Sequence, residues 1–156
     1  MAIERTFFIL KPDTLNRAIA GEIISRFEKK GLKLVGLKMV KMDDEILKEH
    51  YAHLVSKPFY PDLANFMKKS PVIMGVLEGR NAVELVRIMC GITDANKATQ
   101  GTIRGDYAIS TARNVIHASD SLETAKLEIA RFFKSEELFD YNLNNTDYMY
   151  APDELQ

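Results

Sequence analysis

Cysteine is almost absent: Cys90 is the only one in 156 residues. A single thiol excludes an internal disulfide and argues against a cysteine-based metal set. An excess of either charge is also missing. Lys and Arg number 21 against 22 Asp and Glu, a net charge of −1, whereas a dedicated nucleic-acid binder carries a basic surplus. A small local cationic pocket remains compatible with that balance. No apolar run reaches the length of a membrane span. The opening Met1-Ala2-Ile3-Glu4-Arg5 puts charge where a secretory leader needs an apolar stretch, so the expectation is a cytoplasmic protein. Repeats, low-complexity tracts and linkers are lacking too, which makes one domain over residues 1–156 the expected organisation. The remainder is ordinary: 46% hydrophobic and 28% charged residues suit a globular chain with a full core.

Strand and helix signals alternate along the chain. Residues 5–10, with Thr6-Phe7-Phe8-Ile9-Leu10, are apolar on both faces and read as a central strand. Asp13 or Thr14 can cap the helix that follows. Leu15, Ile19, Ile23 and Phe27 recur every four residues as the stripe of one helix, stopped by Gly31. A second strand covers 33–41. Asp43 and Asp44 open a helix through Ile46, Leu47, Tyr51 and Leu54, and Lys57-Pro58 breaks it. Leu63, Phe66 and Met67 mark another short helix. Pro71 begins the strand Val72-Ile73-Met74-Gly75-Val76-Leu77, and Asn81 caps a helix to about Cys90, ended by Gly91. Residues 92–113 show no periodicity and read as a loop insertion, of a length that is usually functional or disordered. Ile116 lies on a last short strand. Asp120 or Ser121 caps a final helix with Leu122, Ala125, Ile129 and Phe132 as its buried stripe, and residues 135–156 form a polar tail. The core order is βαββαβ. It predicts an α+β, ferredoxin-like fold: a four-stranded antiparallel sheet covered by helices, with the loop insertion, a C-terminal helix and the tail added.

The stretch richest in chemistry is Asn114-Val115-Ile116-His117-Ala118-Ser119-Asp120-Ser121. It holds an imidazole at the end of a short strand, beside helix-capping residues. A helix start favours an anion, and neutral imidazole is a good nucleophile near pH 7. Glu128 falls on the edge of the final helix's buried stripe, where it could orient one ring nitrogen and leave the other free. Its spacing fits a solvated flank residue at least as well. Lys11 stands where a central strand meets a helix start and could serve as a point charge on phosphate. A surface lysine would occupy the same position. Arg87 and Arg104 could clamp phosphate oxygens with paired donors, the latter within Gly101-Thr102-Ile103-Arg104-Gly105-Asp106. Only convergence on His117 would make a site of them. Phe59 and Tyr60, after Pro58, could stack on a base or pack in the core. His50 and His53 are three apart on a helix without a Cys or third nearby His to complete a metal set. Cys90 reads as a small packed residue.

Four segments together resemble the nucleoside diphosphate kinase family over nearly the whole chain. The stretch from Asn114 to Ser121 is similar to that family's active-site signature. Glu4-Arg5-Thr6-Phe7 to Lys11-Pro12-Asp13, His50-Tyr51 to Lys57-Pro58-Phe59, and the glycine-flanked Arg104 segment match in order and spacing. The resemblance implies transfer of a γ-phosphoryl group from a nucleoside triphosphate, mainly ATP, to a nucleoside diphosphate in two half-reactions through a phosphohistidine, maintaining NTP and dNTP pools. By match, His117 is the nucleophile, Glu128 orients it and Ser119 supports it. Lys11, Tyr51, Arg87, Thr93 and Arg104 match phosphate ligands, Lys11 and Asn114 match ribose contacts, and Phe59 matches the base-stacking ring. Mg²⁺ is implied on the nucleotide phosphates, with no metal ligand expected from protein side chains. The resemblance further implies a homo-oligomer, a hexamer rather than a tetramer given the tail with Tyr148-Met149-Tyr150, with no membrane or dedicated nucleic-acid partner. Ala95 and Gln100 stand where many members have prolines, which bears on loop rigidity. Thr111 replaces a frequent valine near the base. The alternatives are an inactive, family-like binding or regulatory protein and a ferredoxin-like small-molecule sensor. The first would be favoured by loss of His117 or the cations, which are present, and the second has no supporting motif.

Overall fold

The computed structural model of the chain describes residues 3–154. Met1 and Ala2 of the charged opening, and the last two tail residues 155 and 156, lie outside the described residues. Strand β1 (Ile3–Leu10) leads into α1 (Pro12–Asn16) and α2 (Ala20–Lys30), then β2 (Lys33–Val40). Helices α3 (Asp44–His50) and α4 (Tyr60–Lys68) form a pair joined through a 3-10 turn at Ala52–Leu54. Strand β3 (Val72–Arg80), α5 (Ala82–Cys90), α6 (Ile103–Tyr107), β4 (Ile116–Ala118) and α7 (Leu122–Phe132) follow, with α8 (Thr146–Met149) in the tail.

The four strands pair antiparallel in the order β2-β3-β1-β4, as the ferredoxin-like plan requires. Strand β1 is central, and its residues alternate between two cores, as the two-residue period of a strand dictates. Phe7 and Ile9 join the cluster under α3, α4 and α7, with Leu47, Met67 and Phe132. Phe8 and Leu10 join the cluster under α2 and α5, with Phe27, Val86 and Ile116. Gly75 of β3 lies opposite Phe8, and a Cβ there would overlap the Phe8 ring.

Several local readings of the sequence are corrected. The stripe through Leu15, Ile19, Ile23 and Phe27 is broken into α1 and α2, because Ala18 adopts a left-handed backbone (φ 55°) between them. Gly31 does end α2, in the left-handed conformation (φ 99°) that glycine tolerates. The insertion is not devoid of structure: Thr102 caps α6 by accepting from the Gly105 N–H. Asn81 precedes α5 in a left-handed conformation (φ 48°) instead of capping it with its side chain. Ser121, not Asp120, caps α7, and Leu122 is exposed while Glu128 takes a buried place on that helix. The tail is tied to the edge strand β2 through the Phe139 N–H to the Val35 carbonyl and the Tyr141 hydroxyl to the Leu34 carbonyl. No described helix is long and apolar enough to cross a membrane.

Candidate active site

Strand β4 is short, and its entrance is held by an unusual backbone. Val115 has φ 64°, a conformation that a β-branched residue adopts only under constraint. Three bonds from the β1–α1 junction supply the constraint. The Asp13 carboxylate accepts from the Val115 N–H at 3.0 Å, and the Val115 carbonyl accepts from Thr14 Oγ1 at 2.6 Å and the Lys11 N–H at 2.9 Å. Neither Asp13 nor Thr14 caps α1 with its side chain. Both are used to pin the chain just before β4.

His117 follows two residues later, paired opposite Ile9 of β1 and partly exposed. Its Nε2 lies 2.6 Å from Glu128 Oε2. The other carboxylate oxygen accepts from the Ser119 hydroxyl at 2.6 Å. Glu128 is only 3% exposed, so its spacing on α7, which fitted a solvated flank, misled. Its partners come from β4 and the residue beyond it, a meeting that helix periodicity cannot register. An ionised carboxylate is an acceptor only, so the proton of the short contact sits on His117 Nε2. Nδ1 is left with the lone pair.

Lys11 is 8% exposed rather than a surface lysine. It donates to Asn114 Oδ1 at 2.8 Å, and Asn114 in turn donates to the Thr93 carbonyl at 3.1 Å. Burial, then repulsion from Arg104, lowers the Lys11 pKa to about 8, against a smaller opposing pull from Asp13. Arg104 is buried and anchored by the Gly91 carbonyl at 2.7 Å and the Ile116 carbonyl at 2.6 Å. Gly91 has φ 80°, and a Cβ there would collide with Thr102. The Tyr51 hydroxyl is buried with no hydrogen-bond partner among the described residues. Burial, then the Glu128 charge, raises its pKa.

A cleft of about 700 Å³ is walled by Lys11, Tyr51, Arg87, Thr93, Arg104, His117 and Glu128, so seven of the ten candidates converge. Asn114 and Ser119 lie buried behind the wall, holding Lys11 and Glu128. Phe59 is outside the cleft wall, 54% exposed just before α4, whereas its neighbour Tyr60 is buried. His50, which the sequence marks only as one of two histidines three apart, is buried in the cleft wall beside Glu128 and Tyr51. With His117 and Glu128 it completes the metal-type cluster that the sequence did not reveal. Nothing in helix spacing could have found it, because the partners arrive from β4 and α7. Asp62 of α4 accepts from Arg113 at 2.8 Å, and the Arg113 guanidinium lies 4.1 Å from the Phe66 ring centre. That contact ties the element carrying Phe59 to the segment before His117.

A family model described as nucleoside diphosphate kinase matches residues 4–138. A nucleoside diphosphate kinase of Parabacteroides distasonis is 53% identical over 153 residues, 98% of this chain and 100% of that protein. Among solved structures, a halophilic nucleoside diphosphate kinase from Halobacterium salinarum in complex with CDP is 42% identical. It superposes with a TM-score of 0.93, covering 96% of this chain and 100% of that one. A transition-state mimic of the Borrelia burgdorferi enzyme with vanadate and ADP is 35% identical, with a TM-score of 0.88 and coverage of 95% and 98%.

Proposed function

We infer the working of the cleft from a settled premise: the chain belongs to the nucleoside diphosphate kinase family. It is a phosphotransferase that moves the γ-phosphoryl group of a nucleoside triphosphate, mainly ATP, to nucleoside diphosphates through a phosphohistidine, maintaining NTP and dNTP pools. The inactive alternative finds no support. In the mechanism we propose, His117 Nδ1 attacks the γ-phosphorus, the bond to the bridging oxygen breaks, and the nucleoside diphosphate leaves with that electron pair. The second half-reaction runs the same step in reverse with another nucleoside diphosphate.

The observation that carries this reading is the 2.6 Å contact between His117 Nε2 and Glu128 Oε2 in a cation-lined cleft. The carboxylate keeps the proton on Nε2 and stabilises the ring as it gains positive character in attack. Ser119 holds the carboxylate in turn. Lys11, Arg87 and Arg104, with the Tyr51 hydroxyl and Thr93, would meet the phosphate oxygens and spread the charge that builds during transfer. Asn114 and Lys11 would also meet the ribose. Phe59 would present a ring to any base, without reading its edge.

The wall groups around His117 fit Mg²⁺ carried by the substrate, because cations meant for phosphate line the cleft rather than a cage of carboxylates. When bound with the nucleotide, Mg²⁺ would supply neutralisation of part of the phosphate charge. We further propose one domain over residues 1–156, with 92–113 as its insertion and 135–156 as its tail, a cytoplasmic location, and a homo-oligomer, preferably a hexamer. The exposed Leu37 and Met39 on the edge strand β2 support assembly.

The test is incubation of the purified chain with γ-labelled ATP and Mg²⁺. The expected outcome is acid-labile, base-stable phosphate on the protein, absent from a folded His117→Ala variant. Transfer retained in that variant, free of contaminating kinase, would overturn the assignment.

A further inference from the structure

His50 poses a problem that the phosphoryl-transfer chemistry leaves unsolved. Its side chain is almost fully buried beside Glu128, with Nδ1 3.4 Å from Oε2. The same Nδ1 lies 3.2 Å from Arg131 Nη1. A guanidinium only donates, so Nδ1 accepts and the ring proton sits on Nε2, which is buried without a partner among the described residues. His50 Nδ1 and Glu128 Oε2 therefore face each other as two acceptors with no proton between them.

Two acceptors held this way match the spacing of adjacent ligands on a four-coordinate ion. Zinc–nitrogen and zinc–oxygen bonds of about 2.0–2.2 Å at a tetrahedral angle put the two ligand atoms about 3.4 Å apart. A third ligand atom is at hand: the candidate atoms of His50, His117 and Glu128 all lie within 4.8 Å of one another. The two imidazoles meet edge to face, with ring centres 4.8 Å apart. His117 Nε2 would have to draw back from Oε2, and its ring, on the cleft side and partly exposed, has room to do so.

We propose that His50, His117 and Glu128 form a tetrahedral site for a borderline-soft divalent cation such as Zn²⁺, completed by a cleft water, and that its occupancy silences His117. Coordination takes the lone pair of His117 Nε2, and the proton displaced from Nε2 moves through solvent to Nδ1. The ring stays neutral, but the lone pair needed for attack is gone. His50 gives its Nδ1 pair to the ion and keeps its proton on Nε2. Arg131 loses its bond to His50 and keeps the Glu49 carboxylate, 3.1 Å from its Nε. No net proton leaves either ring. Mg²⁺ does not compete, because it prefers six oxygen ligands over paired imidazoles. Metal binding stands apart from the reading of the reaction, whereas the silencing rests on Nδ1 being the nucleophile.

The experiment titrates Co²⁺ into the chelator-stripped, nucleotide-free chain and follows its visible absorption. One equivalent with the intense bands of four-coordinate Co²⁺, displaced by Zn²⁺, is expected. Affinity should fall about a hundredfold in His50→Gln, with circular dichroism reporting whether that variant is folded. Arg131→Gln removes the competing cation from a partly exposed position and should tighten binding about tenfold. A pale six-coordinate spectrum, or affinity unchanged in folded His50→Gln or in Arg131→Gln, overturns the site even if His117 is phosphorylated normally. In a metal-free chain that phosphorylates His117, one equivalent of Zn²⁺ should stop labelling. Labelling that persists with the ion bound overturns the silencing. A metal-free chain that never labels, yet gives the four-coordinate spectrum, sinks the nucleophile assignment and with it the silencing, while the metal site stands.

Discussion

Burial in the cleft wall brings the titration of Lys11 down toward neutral pH. It titrates near pH 8 in the native chain and near 10.5 when unfolded. The unfolded state therefore binds more protons between those values, and the buried ammonium opposes folding below pH 8. That penalty is relieved as pH rises toward 10.5. Phosphate oxygens beside Lys11 would restore its proton. Nucleotide binding at about pH 9 should take up close to one proton, read from binding heats in buffers of different ionisation enthalpy. Equal heats would place Lys11 away from the phosphates. His50 gives the opposite pH window. The unfolded ring protonates near 6.5 but the native ring only near 2, so stability falls as pH drops below 6.5. Its part of the slope is up to about 1.4 kcal/mol per pH unit. Folded His50→Gln should lose that part in urea melts between about pH 6 and 4. An unchanged slope would mean that His50 gains its proton in the native state too.

At the scale of elements, the left-handed Val115 is the device that sets β4 in place. Asp13→Ala removes the acceptor of the Val115 N–H, a part-buried bond, and should cost about 1–3 kcal/mol of stability. It should also slow phosphorylation of His117, because the strand entrance and Asn114 lose their register. A variant as stable and fast as the parent would show that the Thr14 and Lys11 bonds suffice. This part of the site was half legible. The order of elements and the residues Lys11 to Thr14 stood out in the chain, but capping was the obvious use for Asp13 and Thr14. Their real use depends on a strand about a hundred residues later. Likewise the four-residue spacing from Leu15 to Phe27 was real, yet Ala18 turns the chain between two helices. Apolar periodicity reports which side chains are buried, not whether the backbone between them stays helical. Spacing alone left the burial of Glu128 open and that of His50 unmarked, for a related reason. Each owes its burial to polar partners from other elements, and hydrophobic spacing carries no mark of such meetings.

Across the whole molecule, the fold brings widely separated segments to one cleft. The β1–α1 junction supplies Lys11, the end of α3 supplies His50 and the adjoining Tyr51, α5 and the insertion supply Arg87 and Arg104, and β4 with α7 supplies His117 and Glu128. The βαββαβ order and the motif residues made this convergence legible in outline, because β4 runs antiparallel beside β1 and sets His117 opposite Ile9, two residues before Lys11. Phe59 stands apart and exposed, consistent with a ring that meets the base by stacking alone. Catalytic efficiencies for diphosphates of the four common bases should then agree within about tenfold, as a steady-state comparison would show, since stacking tolerates any base. A preference of several hundredfold would require base-edge contacts that the exposed ring does not make. The most direct measurement of the central claim is phosphorus–nitrogen correlation NMR on the ¹⁵N-histidine-labelled phosphoenzyme. The account expects the phosphorus bonded to Nδ1 of His117, with Nε2 still protonated toward Glu128, and loss of that signal on adding a nucleoside diphosphate. Phosphorus on Nε2, or on any other residue, would contradict it.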